Sequence, residues 1–322
     1  MKSIMSVCGP AAAGDLGFCQ CHEHLALSKG VSWEKNPVLL MEDEEKSLQE
    51  ALRLKEHGGG TVVDAQPGGC NRMEEALQRI SKASHIHIIA STGFHKLCFY
   101  PQNHWVSKKT LEELYQIFSH ELSEGMYSGI DDGFHPRDTK IRAGIVKMAL
   151  DKEGLTPVYR KMFLAGAHAA RDAEVPMMIH IEKGSDPIAL FRFLRENGFR
   201  AEHMIFCHMD RAVPDLSVHR KLLEEGVFLE YDTIGRFQYH SDKRELEIFR
   251  YMIDGGYEER LLFSLDTTRA RLKSYTPDGI GIDYLLTDFV PKMLAFGFTK
   301  EQIHKISHDN FIRVYEEGYC QT

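Results

Sequence analysis

Short runs of β-branched and apolar residues recur along the chain, and longer amphipathic stretches separate them. In the second half, polar residues at or next to the ends of these runs lie 33, 28, 24 and 34 residues apart, at Lys147, His180, His208, Asp232 and Asp266, close to the roughly 30 residues of one strand–helix unit. The eight runs are Phe18–Leu25, Thr61–Ala65, His87–Ser91, Arg142–Lys147, Pro176–Ile181, Met204–His208, Val227–Tyr231 and Leu261–Leu265. Eight strand-first units predict an α/β fold, a (β/α)8 TIM barrel that forms one domain over residues 1–322.

Two regions depart from this regular pattern. The first twenty residues predict a short N-terminal β-hairpin, with strands over Ile4–Val7 and Leu16–Gln20. The interval between the third and fourth runs is longer than one unit, and Lys108–Glu124 predicts an extra helix or an elongated loop there. No Gly-x-Gly-x-x-Gly motif follows a strand, which disfavours the competing open, doubly wound sheet.

Charge and composition exclude several classes of partner. Lys plus Arg number 39 and Asp plus Glu number 47, so the formal charge is −8. Such a chain is a poor candidate for nucleic-acid binding through phosphate neutralisation. No apolar run reaches the roughly 18 residues that a membrane span needs, and the short, mixed N-terminus lacks a signal-peptide core. The seven cysteines are scattered and odd in number, so we expect a cytoplasmic protein without a disulfide framework.

Six residues with metal-ligand side chains stand at the ends of five predicted strands. The six are His22, His24, Lys147, His180, His208 and Asp266. In a barrel the carboxyl ends of the strands converge at one mouth, where the active sites of such enzymes lie. Alternate residues of a strand share a face, so His22 and His24 present two imidazoles together. Imidazoles and a carboxylate in one pocket suit a borderline divalent metal, Zn²⁺ first.

A lysine among metal ligands needs a chemical explanation, because an ammonium group would repel the ion. Lys147 fits if its amine has reacted with carbon dioxide to give a carbamate, an anion whose two oxygens can bridge two ions. A buried site that already holds cations favours the neutral amine that this reaction requires. The alternative is a Schiff-base nucleophile in an aldolase-type or isomerase-type barrel.

Several stretches of the chain resemble the phosphotriesterase family of the amidohydrolase superfamily, which includes phosphotriesterase-like lactonases and phosphotriesterase homology proteins. The matching stretches are Leu16–Gly17, His22–Leu25, Arg142–Lys147, Ile179–His180, Cys207–Arg211, Tyr231–Gly235 and Ser264–Arg269. The resemblance covers almost the whole chain and implies a binuclear metal-dependent hydrolase.

The resemblance also implies a role for each of the six residues. His22, His24 and Asp266 would hold a buried metal ion, and His180 and His208 a more exposed one. Carbamylated Lys147 and a hydroxide would bridge the two ions, which are expected to be Zn²⁺. The hydroxide would attack the substrate while Asp266 accepts its proton, so Asp266 and Lys147 are the expected catalytic residues. Family members are often homodimers, and we expect the same here.

The loops that follow the strands are rich in basic residues, which indicates an anion site in a chain of net charge −8. These residues are Lys96, Lys183, Arg211, Arg236, Arg269, Arg271 and Lys273. The candidates for substrate binding are Lys96, Lys183, Arg211, Asp232 and Arg269. Asp232 could instead be a partner of His208 or of Arg211.

The Cys207–Arg211 stretch resembles the lactonase branch of the family more than the triesterases. It implies a small-molecule substrate, a sugar lactone with phosphorylated lactones among the candidates, and a side activity on phosphotriesters. The open alternatives are a hydrolase of a neutral ester, lactone or organophosphate triester, and a barrel that binds metal or ligand without turnover. Glu23, between the two histidines, points to the opposite face and is expected to be a structural hydrogen-bond partner.

Overall fold

The computed structural model describes residues 3–317, which form a parallel barrel preceded by a hairpin. In chain order the strands of this part are β1 (Ser3–Ser6), β2 (Gly9–Ala12), β3 (Phe18–Glu23), β4 (Gly59–Asp64), β5 (His87–Gly93), β6 (Tyr127–Ser128), β7 (Arg137–Asp138), β8 (Ile145–Leu150), β9 (Met177–Ile181), β10 (Met204–Cys207), β11 (Phe228–Tyr231) and β12 (Leu261–Phe263). The small strands β6 and β7 pair with each other in the long connection before β8.

Eight strands form one parallel sheet in the order β3, β4, β5, β8, β9, β10, β11, β12. The first and last strands then meet. The hydroxyl oxygen of Ser264 accepts from the amide of His22 at 2.9 Å and lies 2.9 Å from the carbonyl oxygen of His22. The amide of Asp266 donates to the same carbonyl at 3.0 Å. These contacts join the two edges of the sheet and confirm the predicted (β/α)8 barrel.

Helices cover the outside of the sheet. The α-helices of the described part are α1 (Val31–Lys35), α2 (Glu44–Glu56), α3 (Glu74–Ser84), α4 (Trp105–Lys108), α5 (Leu111–Ser123), α6 (Pro157–Asp172), α7 (Pro187–Glu196), α8 (Met209–Ala212), α9 (Leu216–Glu224), α10 (Asp242–Asp254), α11 (Val290–Phe296), α12 (Lys300–His304) and α13 (Asn310–Glu316). Short 3₁₀ turns span Ala13–Asp15, Pro37–Leu39, Leu97–Phe99, Ala201–His203 and Glu258–Arg260, and π-turns span Leu285–Phe289 and Lys305–Asp309.

Local chemistry explains where many of these helices begin. Asp43, Thr156, Asp186 and Ser241 each precede a helix, and their side chains accept a backbone N–H of the first turn. Helix α5 carries a full capping box between Thr110 and Glu113, and it is the extra helix expected between the third and fourth strands. Within residues 3–317, no helix is both long and apolar enough to cross a membrane.

The N-terminal hairpin differs from the sequence prediction. Its second strand is Gly9–Ala12, with Ser6 paired to Gly9 and Ser3 to Ala12, and not Leu16–Gln20. Gly9 has a φ of 110°, which glycine adopts without strain, so the chain returns at once after Ser6. Residues from Phe18 onwards join the barrel instead, because their apolar side chains pack inside it.

The fourth barrel strand also differs from its predicted bounds. Strand β8 is Ile145–Leu150 and not Arg142–Lys147, so Lys147 lies in the middle of the strand rather than at its end. The residue before the strand is a glycine, Gly144, because the N-terminal hairpin packs against it and leaves no room for a side chain. A Cβ there would lie 2.1 Å from the carbonyl oxygen of Met5. The side chain of Lys147 therefore reaches the mouth of the barrel from below, from a fully buried position.

Candidate active site

A cavity of about 270 Å³ opens at the carboxyl ends of the strands. Five of the six predicted ligand residues line it, and Lys147 lies beneath it. The lining residues are His22, His24, Ser32, Asn36, Leu39, Gln66, His95, Lys96, Phe99, His180, Glu182, His208, Arg211, Arg236, Tyr239, Asp266 and Thr268. The strand ends thus bring together residues separated by up to 244 positions in sequence.

Two of the ligand-type histidines meet at the carboxylate of Asp266. Its Oδ1 lies 3.4 Å from Nε2 of His24 and 3.7 Å from Nε2 of His22. Burial alone would raise the pKa of Asp266, but the guanidinium groups of Arg236 and Arg211 hold that pKa well below its usual range. The carboxylate is therefore ionised, which is the form that binds a cation.

Lys147 lies directly below this group. Its Nζ is 3.3 Å from Nε2 of His22, and its side chain has no exposed surface. Across the described residues, no carboxylate lies within 4 Å of this amine. Lys147 is therefore a buried amine that faces imidazole rather than a carboxylate partner.

His180 and His208 form the other side of the site. Their ring centroids lie 4.4 Å apart, and the ring of His22 lies 4.8 Å from that of His208. Burial lowers the pKa of His180 to about 4 and the pKa values of His22 and His208 well below their usual range. The imidazoles are neutral near pH 7, so their ring nitrogens carry free lone pairs for a metal ion.

Two of these residues have unusual backbone conformations. His208, with a φ of 65°, and Asp266, with a φ of 50°, are both left-handed residues that are not glycine. They occupy the points where the chain leaves β10 and shortly after it leaves β12. Such strain costs free energy and persists where the surrounding structure holds it, often at functional sites.

Asp232 supports the site from behind and does not line the cavity. It is fully buried; its Oδ2 lies 2.6 Å from Nδ1 of His208, and its Oδ1 accepts a hydrogen bond from Arg211 at 2.6 Å. Of the alternatives left open by the sequence, the structure places Asp232 beside both His208 and Arg211. A direct contact with substrate does not fit this position, because the two side chains lie between Asp232 and the cavity.

The basic residues divide into two groups. Lys96, Arg211 and Arg236 line the cavity, whereas Lys183 and Arg269 lie outside it. Lys183 is exposed on the loop after β9, and the Arg269 guanidinium packs over the ring of Tyr275. Neither side chain lines the cavity in this structure, and a contact of either with substrate stays a prediction.

Sequence reasoning missed three other polar residues of the site. Glu182 accepts hydrogen bonds from Nε2 of His180 at 3.2 Å and from Lys96 at 2.5 Å. Glu230, fully buried, lies 3.3 Å from Nδ1 of His22. His95 lines the cavity with its ring centroid 5.4 Å from that of His180. The alternation Glu230-x-Asp232, at the end of β11 and directly after it, was a usable signal, since alternate residues of an extended chain share one face.

Comparison with known proteins places this site in a family. A model described as the phosphotriesterase family matches residues 2–315. The chain belongs to the phosphotriesterase family. It is 29% identical to the N-acetyltaurine hydrolase of Danio rerio, over 95% of this chain and 96% of the relative.

Solved structures of similar proteins agree with this placement. An amidohydrolase from Mycoplasma synoviae is 26% identical, with a TM-score of 0.89 over 98% of this chain and 92% of the other. A mutant of a phosphotriesterase-like lactonase from Deinococcus radiodurans is 26% identical, with a TM-score of 0.79 over 97% of this chain and 100% of the other. The chain therefore has the hydrolase barrel of this family, with a His and Asp donor set at its mouth.

Proposed function

We propose that this chain is a binuclear metal-dependent hydrolase of small anionic substrates. The observation that carries the proposal is the convergence of the six ligand-type residues at one cavity. His22, His24 and Asp266 would hold one divalent ion, and His180 and His208 the other, with Zn²⁺ the expected metal.

The residues present fit such a metal centre. His22, His180 and His208 are buried with lowered pKa values, and the buried Nδ1 of His24 makes no hydrogen bond within the described chain. Lys147 as a carbamate would replace an uncompensated ammonium by an anion among metal ligands. Lys147 is thus the residue expected to bridge the two ions.

When bound, two divalent ions ionise a water molecule near neutral pH and polarise the substrate's carbonyl or phosphoryl oxygen. The chain's own residues supply the rest. Asp266 is ionised and adjoins both His22 and His24, so it can accept the proton that the attacking water loses. Asp232 and Glu230 orient His208 and His22 from behind, as carboxylates commonly do for metal-binding histidines.

The cations of the cavity wall support an anionic substrate. Nη2 of Arg211 and Nη2 of Arg236 lie 2.8 Å and 2.9 Å from Oδ2 of Asp266. If Asp266 binds a metal ion, both guanidinium groups become available to bind a phosphate or carboxylate on the substrate. A small sugar lactone, phosphorylated lactones included, matches this charge and the lactonase likeness.

A second candidate is an N-acyl amide with an acidic group. The similarity to the N-acetyltaurine hydrolase of Danio rerio favours it, since that name describes an amide whose amine part carries a sulfonate. The same arginines would bind the sulfonate, and the same centre would act on the amide carbonyl. Neutral esters and lactones and organophosphate triesters offer the two arginines no anionic group to bind, so we expect them to be poorer substrates.

Metal content per chain, measured on protein purified with bicarbonate and without chelator, tests the metal centre. We expect about two divalent ions at the mouth, and one or none there in Lys147→Met. One ion or none in the unmodified chain would refute the bridging role and reopen the Schiff-base reading, which borohydride trapping of Lys147 would support.

A substrate panel then tests the substrate class. It should pair each phosphorylated lactone with its unphosphorylated counterpart, and N-acetyltaurine with a neutral N-acetyl amide of similar size. Higher kcat/KM for the anionic member of a pair supports the proposal and identifies the bond cleaved. Equal rates within every pair would refute anion selection, and metal binding without turnover of any member would favour a binding protein.

A further inference from the structure

The last helical segment of the described chain lies at the end of the barrel opposite the mouth. Helix α12, the π-turn Lys305–Asp309 and helix α13 follow one another without a break. Asn310 donates to the carbonyls of Glu258 and Leu261, and Leu261 is the first residue of β12. Since Asp266 follows the other end of the same strand, this segment is remote from the candidate active site.

Three metal-ligand side chains gather on this segment. Nε2 of His304 lies 3.3 Å from Oδ1 of Asp309, and Nδ1 of His308 lies 2.8 Å from the same oxygen. The two imidazole rings stack with centroids 4.7 Å apart and an angle of 19° between their planes. One ligand atom from each residue falls within 4.8 Å of the others, and the His304 side chain is 62% exposed.

The π-turn is what brings the three side chains together. His304 and His308 are four residues apart and would share a face in any α-helix. Asp309 is five residues from His304, which in an α-helix would place it about 140° away around the axis. In a π-turn the backbone hydrogen bond joins residues five apart, so His304 and Asp309 also come to one face.

The cations near the cluster pair with carboxylates other than Asp309. Lys305 pairs with Glu258 at 2.9 Å, and Arg313 pairs with Glu259. Throughout residues 3–317, neither cation binds Asp309. The cluster therefore offers two imidazoles and one carboxylate without a lysine or arginine in the place of an ion.

We propose that His304, His308 and Asp309 form a surface site for a divalent transition-metal ion, such as Zn²⁺ or Ni²⁺. Two imidazoles and a carboxylate are a common donor set for these ions, and ligand atoms around a tetrahedral ion with bonds of about 2.0–2.1 Å lie roughly 3.3 Å apart. Three protein ligands leave one position for water. The ion would join the end of α12 to the start of α13 across the π-turn.

Retention of the untagged, full-length protein on an immobilised Ni²⁺ column tests the site, because the buried histidines of the mouth cannot reach the resin. We expect retention at neutral pH that His304→Ala and Asp309→Asn each weaken. The matched control is His57→Ala, which removes an exposed histidine that contacts a single carboxylate, Asp283. Its retention should equal that of the unmodified chain. Equal retention of His304→Ala would overturn the proposal.

Equilibrium dialysis against Zn²⁺ gives an independent count. The unmodified protein should bind one ion per chain more than His304→Ala, while both keep the same number of ions at the mouth and the same catalytic activity. Equal counts would overturn the surface site whatever the mouth binds. If neither protein held ions at the mouth but the unmodified protein still bound one ion more than His304→Ala, the proposed function would be refuted and the surface site would stand.

Discussion

Asp232 and His208 are held together at the base of the cavity, with Oδ2 of Asp232 2.6 Å from Nδ1 of His208. The other carboxylate oxygen binds Arg211 at 2.6 Å. One buried carboxylate thus touches both a proposed metal ligand and a proposed substrate-binding residue, so a change there should affect both functions.

We expect Asp232→Asn to lower metal affinity at the mouth, or activity, roughly 10- to 100-fold. The amide keeps the size of the side chain but removes the charge that orients His208 and compensates Arg211. Metal content and kcat/KM at saturating and limiting Zn²⁺ measure the effect. Asp215→Asn is the control, since Asp215 is exposed, caps α9 and can be replaced by Asn in that role. Unchanged metal content and activity in Asp232→Asn would show that the contact plays no part in either.

Arg236→Met should lower kcat/KM for anionic substrates roughly 10- to 100-fold, because a charge-assisted hydrogen bond contributes about 1.5–3 kcal/mol. Neutral counterparts of the same substrates should lose much less. Lys183→Met removes a basic residue that lies outside the cavity, and its kinetics should match those of the unmodified enzyme. An equal loss on neutral and anionic substrates would argue that Arg236 acts only by holding Asp266.

Glu23 is the structural hydrogen-bond partner that the sequence indicated. Its buried carboxylate accepts from the hydroxyl of Ser264 at 2.7 Å and from the amides of Leu265 and Thr267 at 2.8 and 2.9 Å. It therefore fastens the first barrel strand to the segment after the last.

Glu23→Gln should lower the free energy of unfolding by roughly 1–3 kcal/mol, because the new NH₂ group faces donors and leaves buried groups unpaired. Urea denaturation measures this loss. Glu196→Gln, at an exposed helix end, should change stability by no more than about 0.5 kcal/mol. An equally small change in the stability of Glu23→Gln would contradict the role of Glu23 in joining the first barrel strand to the segment after the last.

His219 should make the stability of the protein depend on pH. Its Nε2 donates to the carbonyl of Val213 at 2.8 Å, and its Nδ1 lies 3.0 Å from the hydroxyl of Tyr231. Burial lowers the pKa of His219 from 6.5 to about 4. Between these values the unfolded chain binds the proton and the folded chain does not, so stability falls as the pH falls from 6.5 towards 4.

His219→Gln removes this titration. Between pH 7 and pH 5 the unmodified protein should lose about 2 kcal/mol more of its free energy of unfolding than the variant does. Urea denaturation of both proteins at the two pH values gives the difference. Parallel losses would mean that His219 is protonated in the folded protein as readily as in the unfolded one.

Much of the site was predictable because strand ends have fixed places in a barrel. His22, His24, His180, His208 and Asp266 each follow or close an apolar run, and parallel strands of one barrel must end at one mouth. Lys147 was harder to place. The run Arg142–Lys147 suggested a strand end, but Gly144 packs under the hairpin and the strand continues to Leu150.

Residues on loops were the least predictable. Lys183, Arg269 and Arg236 all follow strands and look alike in sequence, yet only Arg236 lines the cavity. The direction in which a loop turns depends on what it packs against, and a single sequence does not contain that information.

The sequence by itself determined the barrel and the identities of the proposed metal ligands, because these follow from local periodicity and from chemistry at strand ends, and its resemblance to known sequences indicated the family. Only the tertiary structure decided which charges face the cavity, which carboxylates stand behind the histidines, and that a π-turn brings Asp309 to His304. The physical reason is that these contacts depend on side-chain packing and on backbone irregularity, and neither leaves a periodic pattern in the sequence.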